Sequence, residues 1–405
     1  MKIKKRTLEY WLLVLFIPVE AINGLIVNYF GLSFSPVGYI YRALLIAFFF
    51  RYAMTAKYCR YMLAYILMTL GVFININIQP YSSLGIDLGQ SFRILYVMCL
   101  CIGLNYQIRN ERIKKDFIID ILNSSTNILI AIYLLSAITH TGIAAYSGEV
   151  GYKAWFNSSN SLTIVMVILA GIQLIQYFKT RNKPFIIKFF ILSIFLFLLG
   201  TKSGVVFLAI FVIYMYLPKK ISLLYMKRLG GMAIIAGLSY ALLFYCFNDY
   251  VSKIIERISY FIATSDSLIQ YLFSGRNDLL VCGWKAYVSQ LNLFAFLFGK
   301  GTRNMQVLIG QFSSWSIIKS IEMDFFDILF ELGILGIYVT YLMVFSITGI
   351  RKLKIKNFSP VYILFGLCII FSILAGHVFT DSFGSTILAL ISALAFYEHH
   401  TSETI

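Results

Sequence analysis

Residues 10–30 read YWLLVLFIPVEAINGLIVNYF, a nearly unbroken apolar run behind the basic cluster Lys2, Lys4, Lys5 and Arg6. A helix needs roughly 20 apolar residues to cross the hydrocarbon core of a bilayer, and this run supplies them. A basic start before an apolar stretch also describes a secretory leader. No small-residue cleavage site with a mature domain follows, so the run is expected to be a retained first helix. The same pattern recurs along the chain. Apolar segments are predicted at 9–30, 36–52, 59–79, 88–108, 117–140, 160–178, 185–199, 203–218, 229–247, 324–349, 359–377 and 382–397, separated by short basic or polar breaks. The expected fold is therefore all-α: one polytopic transmembrane domain over 1–405, with about twelve membrane-crossing helices.

Bulk composition agrees. Of 405 residues, 60% are hydrophobic and 13% charged, and the mean hydropathy is +0.81. A water-facing fold could not cover that much apolar surface. The net charge of +16 raises the question of nucleic acid, and the placement of the 34 Lys and Arg answers it. With the N-terminus in the cytoplasm, most of them fall in cytoplasmic connections, such as Arg109, Arg112, Lys114 and Lys115, or Arg351, Lys352, Lys354 and Lys356. This is the positive-inside pattern; it predicts cytoplasmic termini and a lipid bilayer, not nucleic acid, as the partner. Cys59, Cys99, Cys101 and Cys368 fall in or beside helices without metal-ligand spacing, and two of the four histidines are His399 and His400 at the C-terminal end. No metal site and no cofactor are expected. Cys246 and Cys282 fall on the outer side, where a disulfide is chemically permitted.

The segment 248–323 breaks the rhythm of short connections. By the charge rule it is a long outer loop, and a long loop in a compact protein is usually functional. Three clusters mark it and its exit. Ser274, Gly275, Arg276, Asn277 and Asp278 are followed by Trp284 and Tyr287. The guanidinium of Arg276 suits a phosphate or carboxylate bidentately, or pairs with Asp278 or Glu256. Trp284 and Tyr287 stack on a sugar ring or anchor at the membrane interface. Phe298, Gly299, Lys300, Gly301, Thr302 and Arg303 combine flexible backbone with two cations; with no Walker spacing, this is not a nucleotide loop. Lys300 and Arg303 either hold a diphosphate with Arg276 or are solvated. Finally Glu322 and Asp324 lead into Asp327 and Glu331; Asp324, Asp327 and Glu331 share one helical face. Helix-dipole stabilisation accounts for the first two acids but not for Glu331, roughly 10 Å below the helix start, where a carboxylate tuned as a general base would fit. Other ionisable residues expected within the membrane are Glu20, Arg42, Arg93, Asp120, His140, His377 and Asp381, with Arg93 and Asp87 expected to pair.

These residues resemble a family: the bacterial repeat-unit polymerases of O-antigen and capsule, of the Wzy type, with the related O-antigen ligases. The likeness rests on the helix count with one late outer loop, and on local stretches in order: Phe156 to Asn160, Gly200 to Gly204, Ser274 to Arg276, Phe298 to Gly301, and Glu322-x-Asp324 ahead of Glu331, Gly333 and Gly336. It implies metal-independent glycosyl transfer on the outer face of the bacterial cytoplasmic membrane. The substrate would be an oligosaccharide on undecaprenyl diphosphate, with Arg276 and Arg303 at the diphosphate and Glu322, Asp324 and Arg276 in catalysis. Lys300, Trp284, Tyr287, Arg93 and Asn160 would contribute to binding, and a flippase and a chain-length regulator would be partners. Ligases carry a His where this chain has Glu322, so the acidic pair is more similar to the polymerases. A ligase on the same scaffold, or a lipid-linked oligosaccharide flippase, are the competing classes.

Overall fold

The computed structural model describes residues 8–32, 35–55, 57–146, 150–216, 273–289, 291–313, 320–349 and 359–403, with scattered residues between 252 and 270. The expected helix at 229–247, Cys246 and the basic residues at 1–6 and 351–356 lie outside them. The described chain is helical apart from one hairpin. Its elements are α1 (Leu8–Val14), α2 (Phe16–Phe30), α3 (Pro36–Ala53), α4 (Cys59–Ile78), α5 (Leu84–Arg109), α6 (Lys115–Ile138), strands β1 (Ala144–Tyr146) and β2 (Val150–Tyr152), α7 (Ser159–Thr180), α8 (Lys183–Leu199) and α9 (Lys202–Tyr216). Then follow α10 (Arg276–Val288), α11 (Leu293–Phe298), α12 (Thr302–Phe312), α13 (Asp324–Thr348), α14 (Pro360–Leu374) and α15 (Ser382–Glu403).

Local chemistry sets several boundaries. Proline sits in the first turn of α3, α8 and α14, where its missing N–H costs nothing. Ser158 caps α7 by accepting from Ser161 N at 3.2 Å. Gly31 and Gly200 end α2 and α8 in the left-handed conformation.

Helices α4, α5, α6, α7 and α13 are long and apolar enough to cross a membrane, and α1 with α2 makes a sixth candidate bent by 42°. This corrects the expected count of about twelve. An apolar run is not by itself a span: among the described residues α9, α14 and the apolar part of α15 fall short of the required length. At 1.5 Å per residue the 15 residues of α14 cover only about 22 Å of a roughly 30 Å core. Helix α7 is central: 89% of its apolar window is buried, packed against α6, α8, α9, α14 and α15. The segment expected as a loop carries α10, α11 and α12; α10 and α12 close with the start of α13 over a second small core, including Leu279, Tyr287, Met305, Ile309 and Phe330.

Candidate functional site

The site begins with an interruption in α13. Gly333 has φ 69° and ψ −164°, so the helix ladder breaks there. The carbonyls of Phe330 and Glu331 turn to the Gly299–Gly301 backbone instead, accepting from Lys300 N at 2.9 Å and Gly301 N at 3.0 Å. Both chains need glycine for this approach. A Cβ on Gly299 would lie 2.2 Å from Glu331 C, and one on Gly333 2.5 Å from Gly299 N. Two motifs separated by some thirty residues are thus one interlocked unit, and it carries the Glu331 carboxylate beside Thr302, whose Oγ1 donates at 3.1 Å.

Just before α13, Glu322 adopts φ 64°, a left-handed backbone unusual for a residue with a side chain. Asp327 holds it there: its two oxygens accept from Ile321 N at 3.0 Å and Met323 N at 3.1 Å, one on each side of Glu322. The carboxylate so presented meets Arg276 Nη2 at 2.9 Å and Asn160 Nδ2 at 3.4 Å. The structure therefore brings together Arg276, Glu322 and Asn160, from three distant stretches. Among the described residues Arg276 pairs with Glu322 and with neither Asp278 nor Glu256.

Asp324 faces another way. Wholly buried, it accepts from Val378 N, from Phe379 N at 2.6 Å and from Thr380 Oγ1 at 2.5 Å, and it stands 3.2 Å from His377 Nδ1. With its oxygens so engaged it organises the turn before α15 and orients His377, leaving Nε2 as the imidazole nitrogen not facing the carboxylate. Burial alone would lower the pKa of His377; the hydrogen bond and charge of Asp324, with Asp327 and Glu322, outweigh it and lift the group to about 9.

Between these elements lies a polar cavity of about 460 Å³. Its lining includes Glu20, Arg42, Arg93, Asp327, Glu331, His377 and Asp381, the hydroxyls of Ser158, Thr302, Thr380 and Ser382, and the amides of Asn157 and Gln306. Arg42 Nη2 pairs with Glu20 at 3.3 Å, and Ser382 Oγ donates to the same carboxylate. Burying such charges is costly unless they are paired or face a polar space, and here both conditions hold. Every one of the ionisable lining residues was conspicuous in the sequence as a charge inside an apolar stretch; nothing local showed that they converge.

Lys300, Tyr287, Trp284 and Arg303 lie outside the cavity lining. Lys300 is 1% exposed, with Nζ donating to Ala286 O at 2.9 Å, and burial lowers its pKa. Tyr287 stacks on Phe330 and donates to Ala295 O at 3.3 Å, while Trp284, half-exposed, packs its ring near the same Phe330. Arg303 donates its backbone N–H to Asp87 Oδ1 at 3.0 Å. The expected Arg93–Asp87 pair does not form. Six residues apart on a helix, the two point about 120° away from each other; Arg93 reaches Gln90 at 3.4 Å and Asp87 caps Ser83 N at 2.7 Å.

Fold and site together define an all-helical protein with several helices of membrane-spanning length around a charged internal cavity. No protein-family model matches the chain, and no curated protein matches it.

Proposed function

We propose that the protein is a glycosyltransferase that joins oligosaccharide repeats carried on undecaprenyl diphosphate into a surface polysaccharide, O-antigen or capsule, at the outer face of a bacterial cytoplasmic membrane. The observation that supports it best is the cavity. It has room for a sugar ring and its phosphates, it is roofed by the late segment through Thr302, Gln306 and Ser320, and it carries acids and cations on different walls. In this reading the C1–O bond between the donor glycan and its diphosphate breaks and a bond from C1 to an acceptor hydroxyl oxygen forms. The hydroxyl proton passes to Glu331, whose carboxylate lines the cavity, and the diphosphate leaves as an anion. Arg276, paired with Glu322, and the cationic His377 offset the charge that develops on it. Asp324, enclosed by donors, is a positioning residue for His377 rather than the base. Undecaprenyl-linked repeats, a flippase and a chain-length regulator are the partners, and both termini are cytoplasmic.

A second reading draws on one specific observation. Two of the candidate spans that line the cavity are interrupted, α1–α2 by a 42° bend and α13 at Gly333, and paired broken helices around a polar cavity also belong to transporters. Deleting the gene in its native host and sizing both surface glycan and carrier-bound glycan separates the readings. Collapse of the polymer ladder to single exported repeats is the expected result. Full-length polymer held on carrier lipid identifies a ligase, and repeats trapped on the cytoplasmic side identify a transporter.

A further inference from the structure

Two glycines on α5, Gly85 and Gly89, have nothing within 4 Å of where a Cβ would stand, and both line the cavity. Glycine inside a helix is less favourable than alanine, because more backbone freedom is lost. Packing explains Gly103 on the same helix, because a Cβ there would lie 2.3 Å from Phe49. It does not explain Gly85 and Gly89, which face open space. Spaced by four, they continue to Arg93 on the same face, so the stripe is a trough with a cation at its end.

The opposing wall independently points to a ligand. On α3, which packs against α5, Ser35, Tyr39 and Arg42 line the same cavity. Ser35 is 3% exposed and its Oγ has no hydrogen-bond partner among the described residues; Arg42 is 9% exposed and its Nε has none among them. A buried hydroxyl left without a partner beside a polar cavity is an unusual expense for a folded chain. Arg93 forms no ion pair among the described residues; its hydrogen bond to Gln90 is long. Ser35 and Leu84 are also where α3 and α5 begin, so the positive ends of two helix dipoles meet at this wall. The acids of the cavity, Asp327 and Glu331, lie on α13, whereas Glu20 is held by Arg42 and Ser382, and Asp381 accepts from Phe383 N at 2.9 Å.

We infer that the α3–α5 wall, with Ser35, Arg42 and Arg93 over the Gly85–Gly89 trough, is a seat for the diphosphate of a second lipid-linked substrate. The inference rests on the polymerase reading for the need of two such substrates: the acceptor repeat keeps its own diphosphate while the donor loses one. The donor's diphosphate meets Arg276, and the acceptor's lies in the trough.

The test uses the full-length protein in nanodiscs, titrated with farnesyl diphosphate and, separately, with inorganic pyrophosphate. Wild type is expected to bind two equivalents of farnesyl diphosphate; Arg93→Gln, Ser35→Ala and Gly89→Leu each weaken one equivalent about tenfold or more, and Arg276→Ala weakens the other. Gly89→Leu enters open space, so its ligand-free melting temperature should match wild type and report occupancy rather than misfolding. Pyrophosphate binding much more weakly than the prenyl diphosphate marks a lipid headgroup seat; equal binding marks a free-phosphate site and overturns the lipid assignment. One equivalent in wild type, lost in Arg276→Ala and unchanged in Arg93→Gln and Gly89→Leu, overturns the second seat and leaves the polymerase reading intact. Two equivalents with an unchanged polymer ladder on gene deletion keep the seat and sink that reading.

Discussion

Glu331 was legible in the sequence as a carboxylate too deep in an apolar helix for the dipole to explain, and it lines the cavity beside Thr302. As the proposed base it gives a sharp outcome: Glu331→Gln should lower turnover by about 10²–10⁴-fold while substrate affinity changes little. Equal losses in affinity and turnover would make it a binding residue instead. His377 was visible only as one more ionisable residue, because its partner Asp324 lies in another element. Its pKa, raised from an ordinary 6.5 to about 9, means that its contribution to stability is complete below pH 6.5 and is lost as pH rises through 9. Thermal stability should therefore fall between pH 7 and pH 10 in wild type, and the fall should be smaller in His377→Gln. A matching slope in both proteins would remove His377 as its source. Asp327 lines the cavity with Glu331 and also braces the left-handed turn at Glu322; Asp327→Asn should cost about 1–3 kcal/mol in detergent unfolding by leaving buried N–H groups badly matched.

At the scale of elements, glycines with similar sequence surroundings have opposite meanings. Gly299 and Gly333 are locked backbone to backbone at positive φ, whereas Gly89 faces space. Alanine at 299 or 333 should lower stability by about 2–4 kcal/mol, combining the left-handed penalty with overlap. Alanine at 89 should be neutral or stabilising by up to about 1 kcal/mol. Melting curves of the three variants check the contrast, and a stable Gly333→Ala would show that α13 runs continuous. The breaks in α13 and α1–α2 leave no strong local mark, because an interruption depends on what the freed carbonyls find across the gap. For Phe330 and Glu331 that partner is the Lys300 and Gly301 backbone.

For the whole molecule, the proposed orientation puts the cavity mouth outside and the α7–α8 turn inside. In cells, His140→Cys should react with a membrane-impermeant maleimide, and Asn182→Cys should react only after permeabilisation; both positions are exposed. The reverse pattern would place the cavity on the cytoplasmic side and rule out transfer at the outer face.

Composition and apolar periodicity were enough to determine a helical chain suited to a bilayer, since the need to bury backbone polar groups in lipid leaves a helix few alternatives. They also flagged the charged residues whose cost demanded a reason. They did not determine the number of long spans, because an apolar run shows what a segment tolerates while its length as a helix depends on caps and neighbours. Nor did they show that Arg276 meets Glu322, that Asp324 serves His377, or that α3 and α5 leave an open trough. Those relations join residues about fifty positions apart, and only packing in three dimensions sets which of many compatible partners each buried charge finds.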